Sequence, residues 1–260
     1  MELVYTVLLA ILPTAILSYF VYKKDVIEKE PVSLLVTLFF SGVLATVPAT
    51  VTELLLIKLF DNITNVNLHS FLVGFIGVAL VEELYKALFV YKKGYNNKAF
   101  NYMYDGIVYA VFTSLGFATL ENILYVLEYG QSAALLRALV SVPAHAFFGV
   151  SMGYYMGKAK LMKRIGNKVR EKRYIIVSLI IPIIFHGFFD FLLLTENENA
   201  LIIFFAFVAF LYIIAYKQIK KHSNKSIVLN DWGVLKWRKY LKIKQNFICL
   251  LRFYLFLQQF

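Results

Sequence analysis

A single cysteine, Cys249, leaves this 260-residue chain without an intramolecular disulfide. Charge is scarce as well: 17% of residues are Asp, Glu, Lys or Arg, while 60% are apolar. Soluble domains hold about 45–50% apolar residues, so a soluble surface is excluded and the chain reads as an integral membrane protein. Acids are fewer than bases, 16 against 27, for a formal net charge of +11. The bases lie in short connections and in the tail rather than along one face, which is a topology signal and not a nucleic-acid surface. No nucleic-acid partner is expected. The first 22 residues contain Glu2 but no Lys or Arg. A cleavable signal peptide needs a basic start and a small-residue cleavage site, so residues 3–22 read as a retained first helix. Internal repeats and low-complexity tracts are also missing.

What is present is a series of long apolar runs. Seven reach the roughly 20 residues a crossing helix needs: 3–22, 33–59, 68–91, 104–127, 134–157, 174–194 and 199–217. The expected fold is an all-α polytopic membrane bundle of about seven helices, multi-pass in the cell membrane. Connections 23–31, 92–103 and 158–173 and the tail carry bases, whereas 61–67, 128–133 and 195–198 carry none. The positive-inside rule then places the N-terminus outside and the C-terminus in the cytoplasm. The domain reading is a membrane unit over 1–217, with its motif core at 68–194, and a basic tail over 218–260. Trp232, Trp237 and the tail's bases suit an anionic cytoplasmic leaflet of the bilayer. Phe247–Leu257, interrupted by Arg252, is too short to span and reads as a helix on the membrane surface.

Polar residues inside the runs mark the site, because each ionisable group there costs several kcal/mol on insertion scales. Glu82-Glu83-x-x-Lys86 lies in the third run, Phe117-x-x-x-Glu121-Asn122 in the fourth, His145-x-x-x-Gly149 in the fifth and His186-x-x-x-Asp190 in the sixth. Lys86 follows Glu82 by four and shares its face, while Glu83 lies about 100° round the helix. Counted from the outer ends, the pair lies roughly 20 Å deep, His145 about 16 Å, His186 about 12 Å, Glu121 about 9 Å and Asp190 about 6 Å. Asp105 and Arg137, near span ends, are expected to reach water, and Glu53 reads as packing or cavity-lining. Two stripes of small residues, Gly106–Ala110–Ser114–Ala118 and Ser141–Gly149–Gly153–Gly157, read as close helix contacts.

These four motifs, in this order on successive helices, resemble the PrsW-type intramembrane proteases. That family sits in a broader group with the CAAX prenyl endopeptidases and the bacteriocin-immunity membrane proteins. The resemblance covers about residues 70–195. Glu-Glu followed by Lys at the shorter spacing is closer to the PrsW type than the Glu-Glu-x-x-x-Arg of the CAAX endopeptidases. Peptide hydrolysis needs an activated water, an oxyanion stabiliser and an acid for the leaving amine. Glu82 or Glu83 could take a proton from water and return it to the amine. His145 and His186, with Asn122 nearby, could donate to the oxyanion. Lys86, Glu121 and Asp190 would support them, Asp190 by orienting His186. His-Glu-x-x-His and His-x-x-Glu-His are absent, so a mechanism without cofactor is favoured over zinc. The resemblance implies a membrane-anchored protein substrate, such as a single-span anti-sigma factor cut on its extracytoplasmic side. The competing classes are a proton-coupled transporter and a non-catalytic membrane scaffold.

Overall fold

The computed structural model describes residues 2–195, 197–224 and 226–229. Among them every regular element is helical: α1 (Glu2–Lys24), α2 (Val32–Lys58), α3 (Val66–Phe71), π1 (Leu72–Ala79), α4 (Leu80–Phe89), π2 (Val90–Tyr95), α5 (Met103–Tyr129), α6 (Gln131–Leu139), α7 (Ser141–Arg164), α8 (Lys168–Leu194) and α9 (Glu198–Asn224). The apolar runs therefore form the all-α membrane bundle their length implies. Six stretches are long and apolar enough to cross a membrane: α1, α2, α5, α6 with α7, α8 and α9.

The run expected at 68–91 takes a different form. Residues 66–95 are one unbroken helical path, but its α geometry widens twice, in π1 and π2. At the junction of π1 and α4, the Leu80 N–H bonds to the Phe75 carbonyl, five residues back. Asn65 caps the start, its side chain accepting the Leu68 N–H at 3.0 Å. Ser70 at one end donates to the Leu194 carbonyl of α8, and Lys160 of α7 donates to the Tyr95 carbonyl at the other. This path too runs from one end of the bundle to the other.

The small-residue stripes do what their spacing implies. A Cβ on Gly149 of α7 would lie 2.9 Å from Val111 Cα of α5, and one on Gly106 of α5 would lie 2.9 Å from Gly157 N. Likewise, a Cβ on Gly42 of α2 would sit 2.8 Å from Phe117 N. Helix α5 is thus pressed backbone to backbone between α2 and α7, which fixes where Glu121 and His145 project. The fifth span is two helices rather than one. Gly130, at φ 78°, separates α5 from α6, and Val140, at φ −121° and ψ −64°, separates α6 from α7.

The basic connections gather at one end of the bundle. Asn101 donates to Glu28 at 3.0 Å, and the Tyr109 hydroxyl donates to Glu30 at 2.5 Å. Residues 226–229 pack on the same end, through Met103 N to Ile227 O at 3.0 Å and Leu229 N to Asn101 O at 2.7 Å. Asp105 does not reach water here. It is 1% exposed, and its Oδ2 accepts the Asn101 and Tyr102 N–H groups at 2.8 and 2.7 Å, capping α5. Helix α9 continues past the boundary expected at 217. Trp232, Trp237 and the proposed surface helix Phe247–Leu257 lie outside the described residues.

Candidate active site

The Glu-Glu-Lys stretch occupies α4, between the two π segments. Lys86 Nζ lies 2.7 Å from Glu82 Oε2 and 2.9 Å from Glu83 Oε1. The helical-wheel expectation gave Lys86 to Glu82 alone. Its flexible stem instead reaches partners three and four residues back at once. The third ammonium N–H goes to His145 Nδ1 at 3.1 Å, so all three donors of Lys86 are spent. The charge also sits 4.3 Å above the Phe117 ring, which accounts for the aromatic residue in the α5 motif. Glu83 and Lys86 are fully buried and Glu82 nearly so.

Both histidines close on this centre. Because Lys86 can only donate, His145 accepts at Nδ1 and carries its proton on Nε2, 2.8 Å from Glu121 Oε2. His186 Nδ1 lies 3.0 Å from Glu83 Oε1, and its Nε2 lies 3.3 Å from Asp190 Oδ2, off a hydrogen-bond line. The two imidazole rings stand edge to face at 5.5 Å, and Phe148 stacks on His186 at 4.5 Å. Glu82, Glu83, Lys86, Glu121, His145, His186 and Asp190 therefore form one cluster drawn from α4, α5, α7 and α8. Depth counting had put His186 and Glu83 about 8 Å apart; hydrogen-bond distance replaces that figure, since span ends and a π-widened helix do not follow a constant rise.

Asn122 faces elsewhere. Its Nδ2 donates to the Ala10 carbonyl of α1 at 2.7 Å, and its Oδ1 accepts from Arg137 Nε at 3.0 Å. Arg137, expected at the water, is turned inward from α6. Its Nη2 lies 3.0 Å from Glu121 Oε1, and its guanidinium stacks 4.0 Å from the Tyr125 ring. Glu53 of α2 has a buried Oε1 without a protein partner, within electrostatic reach of Glu82, Glu121, Lys86 and His186. A carboxylate inside an apolar run was the sequence signal for Glu53. No signal separated an inward Arg137 from one snorkelling to the surface.

Glu82, Glu83 and His186 each offer a ligand atom within 4.8 Å of the others. Two carboxylates and an imidazole are a zinc-type donor set, and Asp190 behind His186 is the outer partner a metal-bound histidine favours. The residues present fit an ion, with Lys86 competing for the same carboxylate oxygens.

A multi-pass bundle enclosing a buried carboxylate–histidine centre is the arrangement an intramembrane protease requires. Residues 30–216 match the family described as PrsW family intramembrane metalloprotease, and the chain belongs to that family. It is 36% identical over 223 residues to Protease PrsW of Clostridioides difficile (strain 630), covering 84% of this chain and 92% of the relative. It is 39% identical over 214 residues to Protease PrsW of Bacillus subtilis (strain 168), covering 82% and 93%. The match to Protease PrsW of Geobacillus kaustophilus (strain HTA426) is 40% over 185 residues, covering 71% and 77%. No solved structure matches the chain. The protein is a multi-pass membrane protease.

Proposed function

We propose that the chain cuts a membrane-anchored protein by adding water to a peptide bond at the Glu82–Glu83 centre, with Glu83 as the base. One observation carries the choice of Glu83. Its Oε1 is held between Lys86 and His186, while its buried Oε2 has no protein donor. A carboxylate pinned at one oxygen presents the other to a water. Glu83 takes the water's proton as the oxygen attacks the carbonyl carbon, and returns it to the leaving amine when the C–N bond breaks. Lys86 keeps both carboxylates oriented. His186 Nδ1 faces the Glu83 carboxylate and so carries a proton; as an imidazolium the ring also has an Nε2–H, not committed to a linear bond, for the developing oxyanion. Glu121 Oε2 lies 2.8 Å from His145 Nε2, off a hydrogen-bond line, and places its charge beside that ring, whose orientation is held by Lys86 at Nδ1. Glu82, Glu83 and His186 would hold the ion that the family's description implies, where it would acidify the attacking water and polarise the carbonyl.

The proposed topology has seven crossings, residues 66–95 being the third, with the N-terminus outside and the basic end of the bundle in the cytoplasm. The substrate class is a single-span protein with an extracytoplasmic flank, such as an anti-sigma factor. A proton-coupled carrier is less well supported, because the ionisable groups converge on Lys86 at hydrogen-bond distance rather than stringing across the bundle. The test compares membrane proteins in cells whose only copy is wild type or Glu83→Gln. A single-span protein should accumulate uncut with the variant. Equal processing by both would overturn the assignment of Glu83.

A further inference from the structure

Three carboxyl groups are buried together at the basic end of the bundle. Asp25 and Glu30, from the α1–α2 connection, are each 3% exposed, and Asp105 of α5 is 1% exposed. Asp105 lies about 24 Å down α5 from Glu121, so the group is separate from the proposed hydrolytic centre. The Glu30 and Asp105 carboxyls face one another, with Asp25 beside both. Glu28, at the exposed rim, adds a further acid. The cations in reach are spent elsewhere. Lys29 donates to the Tyr22 and Lys23 carbonyls, and Lys160 to that of Tyr95. Buried carboxylates without a cation are strongly unfavourable unless protons or a bound ion neutralise them.

The unspent atoms distinguish these two. Tyr104 is 1% exposed, and its hydroxyl faces the Asp25 carboxyl, yet neither that hydroxyl nor Asp25 Oδ2 has a hydrogen-bond partner. A buried donor and acceptor that face each other unbonded call for a third group that meets both. Asp105 Oδ1 and Asn101 Oδ1 are unpartnered as well, while Asp105 Oδ2 is filled by two backbone N–H groups. A proton on a carboxyl removes its charge but gives none of these atoms a partner; a hydrated cation does both. All four atoms are oxygens, the hard donor set that Mg2+ and Ca2+ take and that zinc or copper favour less. Among the described residues only Glu82, Glu83 and His186 bring three ligand atoms within 4.8 Å of one another, so the carboxyls here stand further apart. Mg2+ suits that spacing, because it keeps several waters and takes one or two carboxylates directly, whereas Ca2+ takes six to eight oxygen ligands.

We propose that Asp25, Glu30 and Asp105 hold a hydrated magnesium ion, which fastens the α1–α2 connection to the start of α5. The ion bridges Asp25 to Tyr104 and to Asp105 through its waters. The test uses the full chain with Glu83→Gln, which breaks the donor set of the hydrolytic centre, purified in detergent and freed of metal with a chelator. Mn2+, a paramagnetic stand-in for Mg2+, is titrated in at pH 8 and its unbound signal counted by electron paramagnetic resonance. One Mn2+ should bind per chain, and Mg2+ should displace it while Na+ at equal ionic strength should not. Mg2+ alone, at about a hundred times its dissociation constant, should raise the melting temperature by roughly 5–10 °C. Asp25→Asn together with Glu30→Gln should abolish both the bound Mn2+ and the rise in melting temperature. Asp61→Asn, an exposed acid in the α2–α3 connection, should keep both. No bound Mn2+ in the chain with Asp25 and Glu30 intact would overturn the site. So would Mn2+ bound equally well, or an equal rise in melting temperature, once both are replaced. Displacement of Mn2+ by Ca2+ but not by Mg2+ would overturn the choice of ion.

Discussion

Lys86 shows how much a single side chain decides. Its three N–H groups are divided among Glu82, Glu83 and His145, so two buried carboxylates are held side by side by one internal cation. Removing one member of a buried charge cluster leaves the others uncompensated, at about 3–5 kcal/mol. Lys86→Met should therefore unfold at lower temperature or fail to fold in detergent, whereas Glu83→Gln, which keeps the shape and an acceptor oxygen, should melt close to wild type. Equal melting temperatures for Lys86→Met and wild type would refute this. The residues of the centre were legible in the sequence because each is an expensive group in an apolar run. Arg137 was not. A long basic side chain near a span end can snorkel or turn inward, and only its partners, Glu121 and Asn122, reveal which. Asp105 was misplaced for a similar reason: its position gives no hint that it caps the backbone of α5.

At the scale of elements, helix positions were read closely while their internal geometry was not. The expected run 33–59 is α2 (Val32–Lys58) and the run 104–127 is α5 (Met103–Tyr129). Hydropathy sees length and composition, and both survive folding. It does not see hydrogen-bond register, so π1 and π2 on either side of the Glu-Glu pair left no trace in it. Nor does it see the backbone break at Val140 that turns α6 into a separate arm carrying Arg137. The glycine stripes were legible because close approach in a membrane demands small residues. Their role can be tested one turn from His145. A Cβ at Gly149 meets Val111 Cα at 2.9 Å and Ala110 O at 3.0 Å, so Gly149→Leu forces α7 away from α5 and carries His145 with it. Displacements of about 1 Å at a catalytic group can cost on the order of a hundredfold in rate. Gly149→Leu should insert and remain helical by circular dichroism while losing about that much activity. Gly130→Ala, where nothing lies within 4 Å of an added Cβ but φ is positive, should cost stability at the α5–α6 turn instead.

For the whole molecule, chemistry and anchorage sit in different places. The proposed hydrolytic centre joins α4, α5, α7 and α8 inside the bundle, while the basic end is tied by the α1–α2 connection, the start of α5 and residues 226–229. Burial pushes the Asp25 carboxyl up to about 6 and that of Glu30 up to about 7. Between their ordinary values and these, the folded chain binds more protons than the unfolded one, so stability falls as pH rises from about 4 through 7. The melting temperature of the full chain in detergent should drop across that range. Asp25→Asn should flatten the slope and raise the melting temperature at pH 8; a slope unchanged by it would contradict the linkage. The most direct test of the hydrolytic centre uses the purified full chain, a single-span peptide and heavy-oxygen water. One heavy oxygen should enter the new C-terminal carboxyl group, and Glu83→Gln should slow that incorporation about a thousandfold or more without altering melting. Incorporation at the wild-type rate by a chain carrying both Glu82→Gln and Glu83→Gln would contradict it.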